Sequence, residues 1–319
     1  MIRLDIVIPT IGLGPYFDEA LGSLLSQAEE FHEIIVYDNS ESKAVRSKSR
    51  HASHPAVRWE FSPGFLPALQ SWNNAVACCT ADHVTIFGDD DVALPGFAKG
   101  LKDALRLADF AISRFDVINE TGQVTSPAAA PRFVTATAAE FRHFRMRQQI
   151  GMVVPGVAFR REHFQKLGGF RDTHFPKTLH TDDDLWFRIA QLTGLVAAAP
   201  DVIWRYRWHS GQIGSGFALH EFARGVNPFL DDLIASLQAL GAQPESIFPP
   251  GQTRKSYHTD LLVNRFQMLW KRELEKKPPS WSSRLTLIRT LTRLDVPSKR
   301  KIMLIRKAIR SSFRAHTKF

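Results

Sequence analysis

Two runs of three consecutive aspartates are the residues most able to do chemistry, Asp89–Asp91 in IFGDDDV (86–92) and Asp182–Asp184 in TDDDLW (181–186). The first run follows an apolar stretch directly, at what reads as a strand end. Carboxylates crowded there repel one another, and a bound divalent cation relieves the repulsion. A solvated turn, with Asp91 favouring the dipole of a following helix, is the competing account. The second run opens a helical pattern. Thr181 and Asp184 have capping-box spacing and acids suit a first helical turn, yet the same place can hold a general base. A third cluster, RYRWHSG (205–211), ends a strand with cations, aromatics and His209, which is either a ligand or an ordinary surface or core histidine. Gly168-Gly169-Phe170 reads as a turn capping a helix.

Elements able to position these groups alternate in the first half of the chain. Strands are predicted over 4–8, 33–37, 83–87 and 110–115, with helices over 16–28, 66–79 and 95–107 between them. This is the pattern of β-α-β units around a mostly parallel sheet, whose functional loops lie at the strand C-termini. A looser segment with loops at 119–122 and 126–131 leads to a helix at 137–148, a strand at 152–159, helices at 162–167 and 183–192, and a strand at 202–206. From about 216 the pattern is helical to the end, interrupted by Pro244, Pro249-Pro250, Pro278-Pro279 and Pro297. The expected division is an α/β domain over 1–216 and a helical, basic region over 217–319.

The chain has 319 residues, 44% of them hydrophobic and 23% charged, enough to bury a core without disulfides. Its adjacent cysteines, Cys78 and Cys79, disfavour a stabilising disulfide and form no metal-binding C-x-x-C pair, in keeping with a reducing, cytoplasmic setting. No apolar run of spanning length and no signal-peptide pattern is present. The net charge of +9 is uneven: residues 255–319 hold 17 Lys/Arg against 4 Asp/Glu, leaving 24 against 28 over 1–254. Within the tail, Ile302, Ile305, Ile309 and Phe313 share one helical face, and Arg300, Lys307, Arg310 and Arg314 another. Such a helix can rest on an anionic membrane surface, or pack its apolar stripe on protein.

Six motifs occur in order: IVIPT (6–10), IIVYDNS (34–40), FGDDDVALPG (87–96), LGGF (167–170), TDDDLWFRIA (181–190) and RYRWHSG (205–211). This order resembles the family 2 glycosyltransferases with the GT-A fold, over about residues 3–211. The resemblance implies a Rossmann-like, mostly parallel sheet and an inverting, metal-dependent transfer of a sugar from UDP-sugar or dTDP-sugar. The acceptor implied is a hydroxyl of a glycan or lipid-linked glycan. By the same resemblance Thr10, Asp38, Asn73 and Asp89 line the nucleotide-sugar site, Asp38 accepting from N3–H of uracil or thymine. Asp90, Asp91 and His209 fall on the metal positions for Mn2+ or Mg2+, with Asp90 foremost. Gly88 stands where the family's first aspartate is usual. Asp182 falls on the catalytic base, with Thr181 in place of the usual glutamate.

The chemistry asks for this division independently. Loss of a nucleoside diphosphate builds charge that a cation stabilises, while the attacking hydroxyl must give its proton to a base. A glycosidase would need two carboxylates flanking the bond and no metal. A pyrophosphorylase would show a basic, Gly-rich loop, whereas Pro9–Gly14 has no Lys or Arg. A nucleic-acid binder would interleave stacking aromatics, of which 282–319 offers Phe313 and Phe319 alone. A non-catalytic sugar-nucleotide-binding or scaffold protein on the same fold is the alternative. The expected place is the cytoplasm, with a peripheral contact on the inner face of the membrane, and a homo-oligomer is compatible with the sequence.

Overall fold

The structure is a computed structural model that describes residues 2–130, 132–209, 211–212, 217–275 and 281–316. Among these residues ten strands form one sheet: β1 (Leu4–Thr10), β2 (Glu33–Asp38), β3 (Val57–Phe61), β4 (His83–Ile86), β5 (Val92–Ala93), β6 (Phe110–Ile118), β7 (Val124–Ser126), β8 (Thr135–Thr137), β9 (Val157–Arg160) and β10 (Leu195–Arg207). Their order is β3-β2-β1-β4-β9-β6-β10-β5, with β7 paired to β6 and β8 to β10. Pairings within β3-β2-β1-β4 and between β6 and β10 are parallel. Those of β9 with β4 and β6, and of β5 with β10, are antiparallel.

The centre of the sheet follows from β1, whose apolar residues are buried on both faces as a covered parallel strand requires. Leu4, Ile6 and Ile8 face one core and Val7 the other, by the period-2 alternation of a strand. The first core is closed by α1 (Phe17–Leu25) and α4 (Phe97–Leu105), through Phe17, Leu21, Leu24, Phe97 and Leu101. Across the sheet lie α3 (Ala68–Ala77), α5 (Ala138–Met146), α6 (Arg161–Lys166) and α7 (Thr181–Thr193). The short helix α2 (Val45–Lys48) follows β2.

The helical C-terminal part comprises α8 (Leu219–Ala239), α9 (Pro244–Ile247), α10 (Arg254–Glu275), α11 (Trp281–Arg293) and α12 (Ser298–His316). Phe222, Leu262, Phe266, Leu291 and Leu304 extend the same apolar cluster that contains Phe141 and Trp186. The final helix buries Leu304 and Ala308, while Ile302 stays 51% exposed and Ile305 is half-buried. Its packed stripe is therefore rotated from the face read in the sequence. The side chains of Ile309, Arg310, Phe313 and Arg314 lie outside the described residues, as do Pro278 and Pro279. Among the described residues, no helix is long and apolar enough to cross a membrane.

Four local readings change. Val57–Phe61 is a strand although Arg58 and Glu60 interrupt its apolar pattern, because it pairs on one side alone, at the sheet edge. The strand expected over 152–159 begins at Val157, after Gly156 at φ +73°, where a Cβ would lie 2.2 Å from the indole Nε1 of Trp204. The last strand starts at Leu195, and register shifts around Ala198–Val202 let it carry Pro200-Asp201. Thr181 does not cap α7: its hydroxyl donates to the Arg171 carbonyl at 2.8 Å, and the preceding His180 is left-handed at φ +59°. The Gly168-Gly169 turn forms as read, both residues at positive φ, with the Gly169 N–H donating to the Phe164 carbonyl.

Candidate active site

The parallel register places Thr10 beside Asp38 at the C-terminal ends of β1 and β2, and β4 delivers Gly88–Asp91 to the same edge. A cleft of about 860 Å3 opens there, lined among others by Thr10, Asp89, Asp90, Asp182 and His209. A neighbouring pocket of about 560 Å3 shares Ile11, Gly12, Leu13 and Phe65 with it and adds Ser40, Glu41 and Lys48.

Within the cleft, the Thr10 hydroxyl lies 2.6 Å from Asp89 Oδ2. Burial pushes the Asp89 carboxyl up to about 6, the Thr10 contact opposing and the charge of Asp90 adding. The Nε2 atom of His209 lies 2.7 Å from Asp90 Oδ2. Asp91 is 1% exposed; its Oδ1 accepts the Arg207 N–H at 2.8 Å and its Oδ2 has no partner among the described residues. Burial first, and the Asp90 charge second, raise the Asp91 carboxyl well above the usual range. Arg207 knits this loop to β10: it also donates to the Asp90 carbonyl at 2.7 Å, pairs with Glu19 at 2.7 Å and lies over the Tyr16 ring.

Gly88 is explained by what surrounds it. A Cβ there would fall 2.5 Å from Asp91 Oδ2 and 2.8 Å from Asp90 Oδ1, so any side chain would displace both carboxylates. Two carboxylate oxygens converging on one glycine, one of them buried and unpartnered, with an imidazole on the other Asp90 oxygen, form a donor set that suits Mn2+ or Mg2+. Among the described residues, a tight group of three potential ligands, within 4.8 Å, occurs instead at Asp5, His32 and Glu33. That group sits at the N-terminal ends of β1 and β2, away from the cleft, and its atoms are engaged. Asp5 accepts the Thr80 and Ala81 N–H groups at 2.7 Å each and pairs with His32, while Glu33 pairs with Arg58.

Asp182 lines the same cleft, from the first turn of α7. Its two neighbours are neutralised: Asp183 pairs with Arg145 at 2.6 Å and His180 at 2.9 Å, and Asp184 with Arg171 at 2.7 Å and Arg188 at 2.8 Å. Asp182 forms no ion pair among the described residues and accepts the Asp183 N–H. Burial, then the charge of Asp183, raise its carboxyl to about 6 against the pull of Arg145 and His180. Arg145 and His180 overcome the burial of Asp183 and hold it well below the usual carboxylate range. Of three adjacent acids, two are thus tied into ion pairs, while Asp182 is left to the cleft with its carboxyl raised.

Two residues expected to line the donor site do not face it. Asp38 is fully buried, and its oxygens accept the Ser40 N–H at 2.8 Å and the Val45 N–H at 3.2 Å. Through these bonds it anchors the 40–45 loop. Asn73 clamps Phe170, donating to its carbonyl and accepting its N–H, both at 2.9 Å. Gly169 permits this approach, since a Cβ there would lie 2.5 Å from Asn73 Oδ1. Asn73→Ala is accordingly expected to cost about 1–3 kcal/mol of stability by orphaning both Phe170 groups. Thermal melts should fall while UDP affinity, measured on folded protein, stays within twofold; a selective loss of UDP affinity would return Asn73 to the site. Ile11, Leu13 and Phe65, exposed by 64%, 39% and 56% around both pockets, are not legible as site residues in the sequence, because isolated apolar residues in a loop carry no motif.

The sequence model of glycosyl transferase family 2 matches residues 5–168, half of the chain, and the protein belongs to that family of glycosyltransferases. No curated protein matches it in sequence. Among solved structures it is similar to residues 1–349 of S. aureus TarS in complex with UDP-GlcNAc, at a TM-score of 0.62 and 14% identity over 98% of this chain and 89% of that one. The same TarS fragment with UDP gives 0.62 and 12% over the same shares, and a longer TarS chain 0.58 and 13%, with 98% of this chain and 54% of that chain covered. At these identities the likeness is one of fold, the GT-A-like sheet with helices in the C-terminal part.

Proposed function

We propose that the protein is an inverting, divalent-cation-dependent glycosyltransferase that moves a sugar from UDP-sugar, or dTDP-sugar, to a hydroxyl of a glycan or lipid-linked glycan. The observation that carries this reading is Asp182, a carboxylate without an ion-pair partner among the described residues, in the cleft that also holds Asp89, Asp90 and His209. Similarity in fold to a protein solved with UDP-GlcNAc and with UDP supports the donor class.

Asp90, Asp91 and His209 would hold Mn2+ or Mg2+, which when bound supplies Lewis-acid stabilisation of the departing diphosphate. Thr10 and Asp89 bind the sugar nucleotide beside it. Ile11, Leu13 and Phe65 offer apolar contact to the nucleoside. Asp182 accepts the proton of the attacking hydroxyl on its carboxylate oxygen, and attack on the face opposite the departing diphosphate inverts the anomeric centre. Arg145, by holding Asp183 ionised, keeps the proton off the neighbouring acid.

A screen of UDP-, dTDP- and GDP-sugars, read as Mn2+-dependent thermal stabilisation and then as sugar-nucleotide turnover, tests this. Stabilisation by one UDP- or dTDP-sugar with turnover is expected. Binding without turnover would support the non-catalytic reading instead, and no Mn2+-dependent binding would remove the metal assignment.

The reading extends to the tail. Residues 255–319 carry a surplus of Lys/Arg, and Trp281, Leu285, Ile302 and Met303 remain 50–57% exposed beside them. A peripheral contact with an anionic membrane on the cytoplasmic side fits both features. Co-sedimentation with anionic vesicles at low salt should weaken in the Arg306→Glu, Lys307→Glu double variant. Full-length protein that ignores such vesicles would end this part of the proposal.

A further inference from the structure

The loop that leads into Asp182 is strained and is held from outside the catalytic sheet. His174, Lys177, Thr178 and His180 all have positive φ, at 63°, 53°, 57° and 59°, a region that disfavours L side chains. Such conformations persist only where the surroundings over-determine them. Here much of the restraint comes from α8. Phe175 stacks on Phe222 with ring centroids 4.6 Å apart and packs on Phe229 at 5.2 Å. The His180 ring contacts the same two phenylalanines at 5.8 and 5.6 Å. His174 pairs with Asp232 at 2.7 Å, and Gly225 admits the loop backbone so closely that a Cβ would lie 2.5 Å from the His174 carbonyl oxygen.

We infer that α8 is a positioning element of the active site, in which Gly225, Phe222 and Phe229 set the 174–180 loop and through it the place of Asp182. This rests on the glycosyltransferase reading with Asp182 as base and adds to it a helix beyond the residues the family model matches. His180 links the two ends of the device, packing on α8 and holding Asp183, whose N–H in turn binds Asp182. Displacing the loop changes the charges and polar groups around Asp182: Asp183, Arg145 and His180 beside it, and Tyr206, which lines the same cleft.

Gly225→Ala tests the inference in the full-length protein, with turnover of the UDP-sugar accepted by the parent as the readout. Expected is a fall in kcat on the order of tenfold to a hundredfold, as for a misplaced catalytic group. UDP affinity in Mn2+ should stay unchanged, and the acid limb of the kcat profile should move to lower pH as Asp182 gains water. A stability role alone would lower the melting temperature and leave that limb in place, which overturns the inference. So would unchanged kcat, or a loss confined to UDP affinity. Should Gly225→Ala fail to fold, His174→Ala, which breaks a surface pair, decides by the same kcat and pH readouts. A parent without UDP-sugar turnover would instead count against the glycosyltransferase reading itself, so the two failures are distinct.

Discussion

Asp182→Asn is expected to reduce sugar transfer by roughly 10²–10⁴-fold, the usual worth of a general base, and to leave Mn2+-dependent UDP binding intact. The amide keeps the shape and the contact with the Asp183 N–H region but cannot take a proton. The parent's kcat should fall on the acid side around pH 6, where Asp182 protonates, well above the about 3.9 of a free aspartate. Stability carries the opposite sign. A carboxyl raised in the folded state binds a proton on folding between about 4 and 6, so its ionised form weakens the fold as pH rises through that window. The Asn variant should therefore melt above the parent at pH 7–8, and the gap should close below pH 4. Transfer at the parent's rate, or a gap that persists in acid, would show that Asp182 is a helix-start residue and no base.

Asp90→Ala carries the second large effect. It removes the carboxylate that His209 meets at 2.7 Å and that converges with Asp91 over Gly88. Affinity for UDP in Mn2+ should drop by at least about ten- to a hundredfold, the loss seen even for groups that only support metal ligands. The fold should survive, because the Arg207 bond is to the Asp90 backbone carbonyl and loss of one of three adjacent charges relieves repulsion. Calorimetry with and without Mn2+ measures this; equal Mn2+-dependent affinity in parent and variant would take the cation away from the aspartate run.

How legible these roles are in the sequence depends on what distinguishes one acid from its neighbours. The runs at 89–91 and 182–184 are visible as strings, and so are the strands that deliver the first of them, since β1, β2 and β4 are short apolar runs. Which aspartate of TDDD faces the cleft is decided by Arg145 and Arg171, brought in by the packing of α5 and the 170–180 loop, and by Arg188 one turn further along α7. Asp38 and Asn73 show the converse. Both are polar residues at places where a nucleotide site is expected, and both turn inward because backbone N–H and C=O groups nearby have no other partner. A motif records residue type, whereas direction depends on which polar groups the fold leaves unsatisfied. The strand at 57–61 was hidden for a related reason, its charged residues being tolerated at the sheet edge.

The inward turn of Asp38 bears on how preference among nucleotides can change over evolutionary time. A loop anchored by a buried carboxylate is already ordered before any ligand arrives, so little conformational entropy remains to be lost on binding. It is also hard to reshape by drift, because replacing Asp38 exposes two buried amides at once. Variation is left to side chains that support nothing else, and at the rim these are Ile11, Leu13 and Phe65. Lineages that switch donor are then expected to differ at those three positions while the 38–45 backbone stays the same.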